Sequence, residues 1–183
     1  MSGKVFRLAL AGACFLVCAA APRPGGVCLS VVQERHGNYR LEGAFQVQST
    51  PQVVWSVLTD YAGIPHFVSG LQSSRIVSRD GGRVRLEQTS SAKFLFLARA
   101  FTVHLDVREH PPEKIDFADV SGKDFEVYEG SWFLEEKKGQ LVVFYRLWAK
   151  PRFSVPAFLK GWFFKRDVTR MLEEVKSEIL RRD

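Results

Sequence analysis

Cysteine is scarce in this chain: Cys14, Cys18 and Cys28 are the only three in 183 residues. Cys14 and Cys18 lie in the opening segment, so a chain trimmed of its first 20 residues keeps one thiol. One thiol makes neither an internal disulfide nor a zinc site. Long apolar runs are also lacking, and no stretch reaches the roughly 18 consecutive apolar residues of a membrane-spanning helix. The histidines are only His36, His66, His104 and His110, and no close pair of metal ligands has helical or hairpin spacing. No G-x-S-x-G occurs, which removes the strained-turn nucleophile of a hydrolase. The formal charge is a modest +6. Outside residues 150–167, acidic residues are interspersed with the basic ones, unlike the basic strip of a nucleic-acid binder. Metal, triad-hydrolase and nucleic-acid readings are therefore disfavoured, and no cofactor is expected.

What is present begins with a leader. Lys4 and Arg7 precede the apolar run Leu8–Ala13, and Phe15–Ala21 continues it into small residues. A basic start, an apolar middle and a small-residue end are the parts of a secretory signal peptide. Pro22 would obstruct a cut directly before it, which favours cleavage after Ala20, with a cut after Ala21 as the alternative. The expected destination is the periplasm or the exterior. Residues 21–37, with Pro22, Pro24, Gly25, Gly26 and Gly37, read as a linker. Residues 38–183 are long enough for one domain with a sizeable core.

Hydrophobic periodicity divides that domain. Tyr39, Leu41, Gly43, Phe45 and Val47 alternate with polar or small residues, the period of a half-buried strand. "STPQVVWSVLTDY" then predicts a helix, with Ser49 or Thr50 as cap and Pro51 in the first turn. A second short helical turn is expected at Pro65–Val68. Ser74–Arg79 and Arg83–Ser90 flank "DGG", a hairpin turn. Phe94–Arg108, Ile115–Val120, Phe125–Glu135 and Leu141–Lys150 read as further strands. The last segment, about Pro156–Arg182, has helical spacing. The fold class expected is α+β: a curved antiparallel sheet of six to seven strands wrapped on a long C-terminal helix.

Three stretches carry a resemblance: "TPQVVWSVLTDYAGIPHFVSGLQSSRIV" at 50–77, "YEGSWFLEE" at 128–136, and the helix after "PRFSVPAF". They resemble the START-like (helix-grip, SRPBCC) superfamily, in its polyketide cyclase/dehydrase and lipid-transport branch, which includes the coenzyme Q-binding proteins. The resemblance implies a deep cavity between sheet and final helix that holds an apolar molecule. It does not carry over catalytic residues, because no motif here matches a family motif residue by residue.

Candidate site residues follow from strand parity. Arg99 shares parity with Phe101 and Val103 in "FLFLARAFTVHLDV", and Glu129 shares it with Phe125, Val127 and Phe133. Strict strands would place Arg99 and Glu129 on apolar faces, where they would pair and orient a ligand headgroup. A bulge would return either to solvent, and Gly130 offers a place for one. Phe101, Val103, Val127, Phe67, Phe164 and Val168 complete the expected ligand wall. Tyr128, Trp132, Tyr145 and Trp148 read as packing residues. His104, with Thr102 and Asp106, reads as outer polar face, and His66 as a neighbour of the cavity mouth.

The start of the last helix is apolar nearly all round. Ala157, Gly161, Phe164, Val168, Met171, Leu172, Val175 and Ile179 form a core stripe at about 100° per residue. Phe158, Leu159, Trp162 and Phe163 fall outside it, flanked by Lys160 and Lys165. Such an end must be covered by loops or inserted somewhere, and a membrane interface suits aromatic rings beside basic side chains. The sequence thus predicts an exported monomer that binds a lipid or another extended apolar molecule, a quinone-like one among the candidates, with peripheral membrane contact. A cyclase/aromatase-type enzyme and a protein-interaction module at a membrane are the alternatives.

Overall fold

Strand β2, Tyr39–Val47, sets the frame of the molecule. Its residues Tyr39, Leu41, Phe45 and Val47 are buried while Arg40, Glu42 and Gln46 are half-exposed, the alternation of a strand with one core face. β1, Val27–Gln33, pairs antiparallel with it on one side, and β8, Gln140–Pro151, on the other. The structure is a computed structural model. It describes the backbone of residues 26–34, 37–94, 97–137, 139–153 and 157–183, and their side chains except at 92–94, 97–99 and 157–164.

After β2 the chain leaves the sheet. Helix α1, Pro51–Leu58, starts where the sequence predicts: Thr50 Oγ1 accepts a hydrogen bond from Val53 N at 3.3 Å, and Pro51 occupies the first turn. A 3-10 turn at Ile64–His66 follows. The chain then re-enters the sheet at its far edge as β3, Leu71–Asp80. From there it runs as a meander through β4 (Arg83–Phe94), β5 (Leu97–His110), β6 (Lys114–Asp119) and β7 (Phe125–Lys137) to β8. The spatial order is β1-β2-β8-β7-β6-β5-β4-β3, all antiparallel and curved. Gly81, with φ +54°, turns the expected β3–β4 hairpin, a backbone conformation that favours glycine.

Helix α2, Ala157–Arg182, lies over β1 and β2 and meets α1. Leu172, Val175 and Ile179 of its apolar stripe are buried. Close approach is possible because β2 carries Gly43, where a Cβ would stand 2.5 Å from Leu172 Cδ1. The far end of α2 is tied to α1's exit by Arg182, whose Nη2 lies 2.8 Å from Asp60 Oδ2 and whose guanidinium sits 5.6 Å from the Phe67 ring centroid. Glu178, buried on α2, accepts from both Arg181 and Arg182.

One expectation changes. The sheet has eight strands, because residues 21–37 contain β1, which pairs with β2 over its whole length. Its segment "VCLSVVQ" has strand composition, but the flanking prolines and glycines masked it. In the full-length chain Cys28 is disulfide-bonded; the single thiol is expected of the chain without residues 1–20. The signal-peptide segment, residues 1–20, lies outside the described residues.

Candidate ligand-binding site

The sheet's inner face, α1, the following turn and α2 enclose a cavity of about 260 Å³. That is near the lower end of the roughly 300–1,000 Å³ of small-molecule sites. β4 and β5 contribute Leu86, Leu105 and Val107; α1 and the turn contribute Val57, Leu58, Ile64 and Phe67; α2 contributes Val168, Met171 and Val175.

Rings dominate the wall made by β5 to β8. Trp132 meets Tyr145 at 4.6 Å between centroids, and Tyr145 lies nearly parallel to Phe117 at 6.3 Å. Phe117 reaches Tyr128 at 6.2 Å, and Tyr128 meets Phe125 at 4.9 Å. Phe125 then contacts Phe101 and Phe153 edge-on at 5.3 and 5.8 Å. The result is a continuous aromatic strip along the cavity, with contacts in the range where tilted and edge-on pairs attract.

Three phenols, with Gln88, Ser90 and Ser91 of β4, interrupt the apolar wall. Tyr61, on the α1 side, donates to Glu109 Oε1 at 2.9 Å, and Glu109 is 3.4 Å from Arg79. Burial, then the hydrogen bond and charge of Glu109, push the Tyr61 pKa up, with Arg79 opposing. Tyr128 and Tyr145 interact through their hydroxyls. Burial and the Asp119 charge push Tyr128 up to about 12. Burial and the neighbouring Tyr128 hold Tyr145 well above its ordinary value. All three are neutral at physiological pH. The charged side chains on the wall, among the described residues, are Asp167, Arg170 and Glu174, all on α2. Each is engaged: Arg170 Nη2 lies 3.2 Å from Asp167, and Glu174 accepts from Ser69 N at 3.1 Å and Ser69 Oγ at 2.5 Å.

The structure distributes the sequence candidates unevenly. Phe67, Phe101 and Val168 line the cavity. Val103 is buried on the same face of β5 but off the cavity wall. Val127 and Glu129 sit on the outer face instead, and Glu129 is exposed opposite Trp148 of β8. The reason is a bulge: Phe125 pairs with Pro151 but Val127 pairs with Lys150, so Glu126 is the extra residue. One extra residue exchanges the faces of everything beyond it. Phe125 therefore shares the cavity with Tyr128 and Trp132, while Phe133 stacks on Phe144 outside, 4.7 Å apart. The pairing of Arg99 with Glu129 inside the cavity is not made, since Glu129 faces out. The Arg99 side chain lies outside the described residues, as do those of Phe158, Leu159, Lys160, Trp162, Phe163 and Phe164. Lys165 is exposed. His104 is exposed on the outer face as expected, and His66 is exposed without lining the cavity.

Tyr128, Trp132 and Tyr145, read as packing residues, are thus cavity wall. The alternation Val143, Tyr145, Leu147, Ala149 in β8 was a usable signal for Tyr145. Nothing short of the bulge position reveals the other two.

The family model for "Polyketide cyclase / dehydrase and lipid transport" matches residues 47–176, well over half of the chain. The chain belongs to that family. Solved structures with the same architecture include human StAR-related lipid transfer protein 5, at TM-score 0.68 and 14% identity, covering 86% of this chain and 83% of that one. A STAR-related lipid transfer protein from Xanthomonas axonopodis superposes at TM-score 0.64 with 16% identity, over 83% and 98% of the two chains. The Zhui aromatase/cyclase from Streptomyces does so at 0.61 with 16% identity, over 79% and 95%. A search of curated proteins found no match. At these identities the likeness shows the fold, shared by lipid-transfer proteins and aromatase/cyclases alike, and the family's helix-grip cavity is consistent with hydrophobic-ligand binding.

Proposed function

We propose that the chain is an exported protein, periplasmic or secreted, that acts as a monomer. In this reading it binds a lipid or other extended apolar molecule, a quinone-like one among the candidates, and shields or transfers it. The observation that carries this reading is the cavity wall itself: mostly rings and aliphatic side chains, with the uncharged Gln88, Ser90 and Ser91 on β4 and every described charge confined to α2 and already engaged. Transfer of apolar surface from water or bilayer into such a wall gains about 25 cal/mol per Å². The loop at Ser69, held to α2 through Glu174, and the start of α2 are the moving parts in this reading. The apolar residues Phe158, Leu159, Trp162 and Phe163, beside Lys160 and Lys165, would meet a membrane while the ligand passes.

The family also contains cyclases and aromatases, and that is the second reading. Acid–base work needs a group with a pKa near the working pH. The shifted groups on this wall are phenols moved upward, away from that range, which favours binding over turnover. Native mass spectrometry of the full protein, gently extracted from its host, tests the proposal. A bound apolar molecule of stoichiometric mass is expected, and an empty cavity under conditions that preserve ligands in other carriers would sink it.

A further inference from the structure

Tyr128 and Tyr145 are the two polar interruptions of the aromatic strip, and packing does not require their hydroxyls. Phenylalanine would fill the same contacts with Phe117, Phe125 and Trp132. Each phenol offers one donor and two acceptor positions. The two hydroxyls are neighbours of one another, and both residues line the cavity. A neutral phenol pair on an otherwise ring-lined stretch of wall holds donor and acceptor capacity beyond its own contact, which suits an occupant with a polar atom at that point.

The chemistry of that occupant is constrained from two sides. No described charge on β4 to β8 faces the cavity, so an ionised headgroup placed beside the tyrosines would be buried without a counter-ion, which is strongly unfavourable. The flanking surfaces are ring faces and edges, with Trp132 on one side of Tyr145 and Phe117 on the other. Such surfaces gain more from a flat π-system than from a saturated chain.

We propose that Tyr128 and Tyr145 form a polar anchor that hydrogen-bonds a carbonyl or hydroxyl oxygen of an uncharged, ring-bearing ligand whose flat end lies against Phe117 and Trp132. This rests on the binding reading above and states which kind of molecule the cavity accepts.

The test uses the full protein and three probes: 2-acetylnaphthalene, its carbonyl-free analogue 2-ethylnaphthalene, and oleate, with binding followed by titration calorimetry. The ketone is expected to bind about tenfold more tightly than the hydrocarbon, the worth of one to two neutral hydrogen bonds, and more tightly than oleate. In the Tyr128→Phe plus Tyr145→Phe variant the two naphthalenes should bind equally. Retention of the ketone preference in a folded double variant overturns the anchor. Tighter binding of oleate than of the ketone to the wild type overturns the ligand class while leaving the binding reading intact. Failure of all three probes to bind overturns both. The wild-type comparison of ketone with hydrocarbon decides the matter even if the double variant does not fold, because equal affinities there remove the anchor.

Discussion

Replacing Gly130 by alanine should disturb both stability and the cavity, through the aromatic strip. Gly130 of β7 pairs with Phe117 of β6 and with Leu147 of β8. A Cβ at this position would fall on the Arg146 carbonyl oxygen and stand 2.6 Å from Phe117 Cζ. Carbon atoms rest at about 3.5–4.0 Å, so the Phe117 ring has to withdraw by roughly 1 Å. The ring can shift. The Arg146 carbonyl belongs to the β8 backbone and cannot rotate away, so part of the strain persists. Overpacking of this kind costs about 1–3 kcal/mol, and replacing a strand glycine returns roughly 0.5–1 kcal/mol of chain entropy. Because the contact with the Arg146 backbone oxygen cannot be relieved, the overpacking cost lies in the upper half of its range, and the net expectation is about 1–2 kcal/mol of destabilisation. With a urea slope of about 2 kcal/mol/M, the unfolding midpoint falls by roughly 0.5–1 M. Phe117→Leu in the same background should recover part of the loss, since it clears the ring and leaves the carbonyl contact. A midpoint for Gly130→Ala equal to or above wild type would refute the packing argument, and with it the position assigned to Phe117 on the wall.

Glu178 gives a prediction with a definite sign in pH. Hydrogen bonds from Arg181, then Arg182, hold its carboxyl at about 2, down from the usual 4.5, against the burial that raises it. A depressed folded pKa gives stability that is complete above about 4.5 and drains as pH falls toward about 2. Arg181 is largely exposed, which discounts the effect to about 1 kcal/mol. Glu178→Gln should flatten the acid limb of Tm against pH in that window, and an unchanged limb counts against it. Glu174→Ala releases the Ser69 loop, so hydrogen exchange at residues 69–71 should quicken while global stability changes by less than about 1 kcal/mol; unaltered exchange removes the latch. For the membrane reading, flotation with anionic liposomes should recover wild-type protein and less of Trp162→Ala plus Phe163→Ala. Equal recovery ends that reading.

Much of the fold was legible in local pattern. The period-2 alternation of β2, the Thr50–Pro51 start of α1, the "DGG" hairpin and the Leu172, Val175, Ile179 stripe all follow from one element's own residues. β1 escaped because its seven residues carry no alternation of their own and sit between turn formers; pairing with β2 supplies what the segment lacks.

The site was legible only in outline. Sequence order and hydrophobic period determined that a curved sheet would close on a long helix around an apolar interior. They also placed Phe67, Phe101 and Val168 on its wall. Which face the aromatic residues of β7 occupy was decided in the tertiary structure, by one extra residue between Phe125 and Val127. Side-chain alternation is a local property, but the register against a partner strand is not, and a bulge changes the second without leaving a mark on the first. That single step moved Glu129 to solvent and put Tyr128 and Trp132 into the cavity beside Tyr145.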